Sequence, residues 1–295
     1  MKTLSWLIFS GLLTIVIMGG SALALELGQY APMRFCSIGD STTRAFDANL
    51  PLDNNQNVSW VNGYHGFGED LLGQPDVKSH NQRLAANFGK KNRMNCTAAA
   101  NGDDMSKLVF QASGIAGKNP HYVTVMLGSN DACRDSVADL PTPAQFSTRF
   151  RAGMDTLLAN LSAGATVQVV AIPNVVRVYQ MGVDKKALGL VDCPRVWART
   201  GHCGSVLSSR VTAADRAFVL SRVIAYNGIL KNVTAEKAAQ NPGKFISFTD
   251  KSFTYPFTQK ELSDLDCFHP SWEGQKILSR ETWNDGPFKY HQKGK

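Results

Sequence analysis

The chain has 295 residues, 43% of them hydrophobic and 19% charged, with a formal net charge of +7 at pH 7. That length is enough for one sizeable core, and nothing in it resembles a nucleic-acid-binding module or a low-complexity linker. The basic excess suits anionic surfaces such as phospholipid headgroups, but it is scattered like an ordinary solvated surface, with Lys90-Lys91 and Arg93 as its densest run.

The first element is a leader. Met1-Lys2-Thr3 precedes an uncharged stretch, Leu4 to Leu25, whose apolar heart ends at Met18 and is followed by Gly19-Gly20-Ser21 and Ala22-Leu23-Ala24. A small-x-small site after such a run predicts a secretory signal peptide, residues 1–24, cleaved after Ala24. The competing reading is an uncleaved anchor, because the run approaches the ~20 residues of a spanning helix. No later segment is long and apolar enough to span.

Short apolar runs then alternate with helical spacing. Met33–Ile38 reads as a first strand and Met94–Ala99 as a second, with a helix over Asp103–Ala116 after it. Tyr122–Leu127 is a third strand, rich in β-branched residues, followed by a helix over Pro143–Leu161. Thr166–Ile172 is a fourth strand, Thr212–Ala239 a long helix and Phe245–Phe248 a fifth strand. Pro270 suits the first position of a last helix. Near-continuous apolar strands between helices predict one domain, residues 25–295, built on a doubly wound parallel α/β sheet. The segment at about 174–210, with four glycines and a cysteine pair, breaks the alternation and reads as an insertion. Such insertions serve as lids or substrate-contact loops, or merely decorate the surface.

All six cysteines follow the leader, as disulfides in an exported protein require. Sequence leaves fifteen complete pairings open; the expected pair is Cys193–Cys203, which brackets a Gly-containing stretch. There is no Cys-x-x-Cys and no His-x-x-x-His, so a zinc site is not expected; no other cofactor is expected either.

In a parallel α/β sheet, ligands bind beyond the carboxyl ends of the strands. Gly39-Asp40-Ser41 follows the first strand, Ala99-Ala100-Asn101-Gly102 the second and Gly128-Ser129-Asn130-Asp131 the third. Asp266-Cys267-Phe268-His269 lies beyond the fifth. A serine hydroxyl becomes a nucleophile only when a base takes its proton. His269 is the candidate base for Ser41, and Asp266 can fix its tautomer if the segment turns back on itself. The Ser41 N–H, the Gly102 N–H and the Asn130 amide are candidate donors to an oxyanion. Asp40 and Asp131 read as turn-stabilising and structural. His65, His80, His121, His202 and His291 read as surface or packing residues, and Trp60, Tyr64 and Phe67 as core rather than acyl pocket.

In these blocks the chain resembles the SGNH (GDSL-type) hydrolase family. Ser41, Gly102, Asn130 and His269 supply its four letters in order, in Gly39-Asp40-Ser41, Gly128-x-Asn130-Asp131 and Asp266-x-x-His269. Tyr226-Asn227 is a softer similarity, and Thr42 departs from the usual Leu. The resemblance implies a flavodoxin-like three-layer α/β/α sandwich with a serine nucleophile and no metal. Asp266-Cys267-Phe268-His269, Val58-Ser59-Trp60 and Asn130-Asp131-Ala132-Cys133 look like the phospholipase B-like branch. The cysteine-bearing insertion is similar, more faintly, to acyloxyacyl hydrolases.

The function expected is therefore an exported esterase or lipase working through an acyl-serine, with phospholipid or lysophospholipid as substrate and peripheral contact with an anionic membrane surface. No nucleic-acid partner is expected. The alternatives are a carbohydrate acetyl-esterase on the same fold and a non-catalytic binding protein that retains it. An acyltransferase would use the same acyl-serine with an alcohol as acceptor.

Overall fold

A computed structural model describes residues 32–91 and 93–293. The expected leader, residues 1–24, lies outside the described residues. In chain order the elements are β1 (Arg34–Gly39), α1 (Phe67–Leu71), α2 (His80–Phe88), β2 (Met94–Thr97), α3 (Leu108–Ile115) and β3 (Tyr122–Met126). Next come α4 (Ser129–Ala132), α5 (Pro143–Ala159), β4 (Thr166–Val170), α6 (Val175–Ala187), α7 (Cys193–Thr200) and α8 (Gly204–Leu207). The last four are α9 (Ala213–Gln240), β5 (Phe245–Thr249), α10 (Lys251–Thr254) and α11 (Trp272–Asn284).

The five strands form one parallel sheet in the order β2-β1-β3-β4-β5. Alternate side chains of a strand face opposite layers. Cys36, Ile38, Val123, Val125, Val167 and Val169 pack with Leu108 of α3, Phe146, Phe150 and Met154 of α5 and Val223 and Leu230 of α9. Phe35, Tyr122, Met126 and Val170 pack with Leu84 of α2 and Leu278 and Trp283 of α11. The architecture is thus an α/β/α sandwich. Strand order reverses between β1 and β3, and their carboxyl ends open the crevice where open α/β sheets bind ligands.

Local chemistry explains the helix starts. Thr142 accepts from the Gln145 N–H ahead of Pro143, and Thr212 from the Asp215 N–H at 3.1 Å, each completing a capping box. Pro270 is not in the last helix: it pairs with Leu262 in an isolated bridge, and Ser271 caps α11 by accepting from the Gly274 N–H. One further expectation needs correction. Trp60 is fully buried, but Tyr64 and Phe67 are 51% and 83% exposed, because the chain leaves the core after Gly63 and α1 lies open on the surface. The segment over 174–210 is helical, forming α6, α7 and α8.

All six cysteines are bridged, as Cys36–Cys96, Cys133–Cys203 and Cys193–Cys267. The expected Cys193–Cys203 pair does not form. Cys193 opens α7, and an eight-residue helix rising ~1.5 Å per residue carries the chain about 12 Å before Cys203 is reached. That is beyond the ~7 Å Cα separation a disulfide tolerates. Three disulfides fit an oxidising, extracellular environment. Among the described residues no helix is long and apolar enough to cross a membrane.

Candidate active site

Four separate segments meet at the carboxyl edge of the sheet. Ser41 follows β1 in a turn where Asp40 accepts from the Thr42 N–H at 2.9 Å. The Asp266–His269 turn precedes α11 and closes on itself: Oδ1 of Asp266 accepts from the N–H groups of Phe268 (2.9 Å) and His269 (3.0 Å). Its other oxygen, Oδ2, lies 2.5 Å from Nδ1 of His269. A carboxylate there accepts from Nδ1–H, which leaves Nε2 as an acceptor. Nε2 stands 2.7 Å from Oγ of Ser41. Ser41, His269 and Asp266 are 7%, 6% and 4% exposed, so solvent screens these contacts little. Phe46 and Phe268 meet the imidazole edge-on, with ring centroids 5.3 and 4.8 Å away.

Electrostatics separate the carboxylates. Burial opposes ionisation of Asp266, yet the hydrogen bond and charge of His269 and the two turn N–H groups hold its carboxyl below the usual range. Asp40 is buried with one oxygen unpartnered, and burial pushes it up to about 6 despite the Thr42 N–H and the charge of His269. Burial likewise raises Asp131 to about 7, against the Met105 N–H and the Arg134 and Arg149 guanidiniums. The Asp131 oxygen accepts from the Met105 N–H at 2.7 Å, a structural contact.

The candidate oxyanion donors are linked to the same frame. Asn130 donates from Nδ2 to the Asp103 carbonyl at 2.8 Å, beside Gly102, and this uses one of its two amide hydrogens. Gly102 has φ +78, which side-chain-bearing residues rarely adopt, and a Cβ there would meet open space. Backbone conformation, not crowding, therefore selects glycine. The Ala100 N–H donates to the Gly39 carbonyl at 3.2 Å, joining the loop after β2 to the Gly39-Asp40-Ser41 turn.

The sequence gives little sign of one supporting residue. Gln111 of α3 is buried, accepts from the Gly39 N–H at 2.9 Å and donates to the Gly39 carbonyl at 2.9 Å and to Asp103 at 2.7 Å. Its polar place on an otherwise apolar helix face was the available signal. Asn227 of α9 clamps Ile172 at the end of β4 in the same two-handed way, at 2.8 and 3.0 Å, and Tyr226 donates its hydroxyl to the Pro141 carbonyl. A cavity of about 70 Å³ adjoins His269 and Thr42, walled by Val175, Val178 and Met181 of α6 with Phe257, Leu262 and Phe268.

Residues 36–282 match the family described as GDSL-like Lipase/Acylhydrolase. No curated protein matches the chain. Among solved structures, an alpha/beta hydrolase enzyme from the metagenome of Lake Arreo, Spain, is 16% identical over 85% of this chain and 93% of its own, with a TM-score of 0.49. The Clostridium thermocellum family 3 carbohydrate esterase is 12% identical over 88% and 97%, with a TM-score of 0.45. An extracellular lipase from Streptomyces rimosus is 16% identical over 85% and 100%, with a TM-score of 0.43.

Proposed function

The chain belongs to the GDSL-like lipase/acylhydrolase family of ester-hydrolysing enzymes, and from that premise we propose that it is an exported serine esterase whose nucleophile is Ser41. The observation that carries the reading is the hydrogen-bonded series Asp266–His269–Ser41, at 2.5 and 2.7 Å. Oγ of Ser41 attacks the ester carbonyl while Nε2 of His269 takes its proton, and Asp266 supports the resulting imidazolium. The Ser41 N–H, the Gly102 N–H and the second amide hydrogen of Asn130 receive the oxyanion. Collapse breaks the acyl–oxygen bond, and the imidazolium gives its proton to the departing alcohol. Water, deprotonated by His269, then attacks the acyl-serine and frees the acid and Ser41.

The substrate is an ester with an apolar acyl chain, a phospholipid or lysophospholipid. The apolar walls beside His269 suit the carbons nearest the ester better than a sugar hydroxyl, and the net positive charge suits a phosphate-bearing headgroup. The test is a panel of esters graded in chain length and headgroup, with acetylated sugars included, assayed with the mature protein and Ser41→Ala. Release of fatty acid from lysophosphatidylcholine by the wild type and not by the variant is expected. Hydrolysis of acetylated sugars alone would overturn the lipid assignment.

A further inference from the structure

Two of the three disulfides share one short segment, α7–α8. Cys193, at the first residue of α7, is bonded to Cys267, inside the Asp266–His269 turn. Cys203, just before α8, is bonded to Cys133, which closes the α4 turn that carries Asn130. The segment is therefore tied covalently to both turns that the proposed chemistry uses.

Each tie is doubled by hydrogen bonds. Nε1 of Trp197, in α7, donates to the Cys267 carbonyl at 2.8 Å in a buried contact. Ser205, in α8, donates from Oγ to the Ala132 carbonyl at 2.8 Å and from its N–H to the Arg134 carbonyl at 2.8 Å. Two glycines make room for these approaches. A Cβ on Gly182 of α6 would stand 2.3 Å from the Trp197 ring and 2.9 Å from Cβ of Cys193. A Cβ on Gly204 would stand 2.3 Å from the Asp135 carbonyl oxygen. Cys267 and Cys203 both have left-handed backbones, φ +57 and +49, which side-chain-bearing residues rarely adopt. Such conformations persist where the surroundings over-determine them.

We infer that residues 193–207 form a rigid brace that sets the Asp266–His269 turn in register with the Asn130 turn, with Cys193, Trp197 and Cys203 as positioning residues. The inference rests on the acyl-serine reading of the site. A segment bonded at both ends to the site's own turns cannot lift away as a lid without carrying them. Its role follows from the steepness of catalysis with geometry: a displacement of ~1 Å can cost on the order of 10²-fold in rate.

The test compares Trp197→Phe, the double variant C193A/C267A and the double variant C133A/C203A with the wild-type mature protein, below the melting temperature of every variant. Three quantities are read: kcat and KM on a soluble short-chain ester, the rate of Ser41 labelling by a fluorophosphonate, and the far-downfield proton resonance of the His269 Nδ1–H. For C193A/C267A, kcat and labelling should fall about 10- to 100-fold at nearly constant KM, with the resonance lost or shifted. Trp197→Phe, which removes the indole N–H donor but keeps an aromatic ring and all three disulfides, should shift the same quantities in the same direction by about 5-fold. C133A/C203A should lower kcat while leaving the resonance in place, because it loosens only the Asn130 turn. Melting temperatures that fall while kcat, labelling and resonance stay at wild-type values would overturn the brace. Trp197→Phe decides the matter if a double variant fails to fold. Absence of labelling in the wild type would instead overturn the acyl-serine reading, a separate failure.

Discussion

Ser41 and His269 are 228 positions apart in the chain and 2.7 Å apart in space. The sheet makes that contact possible by delivering Ser41 at the end of β1, while α11 and the Leu262–Pro270 bridge fix the far partner. Ser41→Ala should therefore abolish fluorophosphonate labelling and lower kcat on any ester by at least ~10³-fold, with little change in melting temperature. Asp266→Asn should cost about 10⁴-fold, because an amide at that place favours the wrong imidazole tautomer. Steady-state kinetics beside thermal melts check both; wild-type turnover in either variant would remove the proposed chemistry.

Asn130 spends one amide hydrogen on the Asp103 carbonyl, and the proposed oxyanion contact falls to the other. Asn130→Ala should lower kcat about 10²- to 10³-fold with KM nearly unchanged, as loss of a donor that acts mainly in the transition state does. A rise in KM at constant kcat would assign Asn130 to ground-state binding instead.

His80 is sealed on the opposite face of the sheet, 3.1 Å from the Tyr122 hydroxyl and 2.9 Å from Oγ1 of Thr282. Burial, helped by the charge of Arg83, lowers it from 6.5 to about 3. Between those values the unfolded chain binds a proton that the fold refuses, so this residue's contribution to stability declines as pH falls, by up to ~1.4 kcal/mol per pH unit. Asp40 acts in the opposite sense: raised to about 6, its contribution is full below pH 3.8 and is lost as pH rises through 6. Denaturant titrations of wild type and His80→Gln separate the two. The stability gap at pH 7 should narrow as pH drops below 6.5; a gap independent of pH would mean the imidazole charges inside the fold.

Cys36 and Cys96 face each other in register on β1 and β2, with Cα atoms 4.5 Å apart. Their bridge spans 60 positions, and in the chain-entropy account the double variant C36A/C96A should lose about 4 kcal/mol of stability. Equilibrium unfolding measures it. A loss below about 1 kcal/mol would show that strand pairing alone holds the edge.

The parts legible in the sequence were those whose signal is local. Tyr122–Met126 and Thr166–Val170 are fully buried on both faces, so their runs are uninterrupted, and their strands were readable almost to the residue. Gly39-Asp40-Ser41 and Asp266-x-x-His269 were readable because each block is compact and the blocks keep their order. α2 escaped because it buries His80 and Arg83 beside Leu84 and so lacks an apolar stripe, although Ser79 and Gln82 form a capping box at its start. α6 is hard to read because glycine at 182 interrupts it; Val175, Val178 and Met181 at three-residue intervals are its one periodic cue. Gln111 and the cysteine partners depend on contacts between distant segments, which no short window of sequence contains.

The connectivity of the bridges bears on how the protein is made. Cys193 falls between Cys133 and its partner Cys203, so two of the bridges interleave, and the three span 60, 70 and 74 positions. Oxidation in simple chain order would join Cys133 to Cys193 and trap a non-native isomer. Native pairing therefore needs either oxidation after the sheet has assembled or thiol–disulfide exchange that undoes an early mispairing; where oxidation comes early, yield in a heterologous host should track the supply of a disulfide isomerase rather than of oxidant.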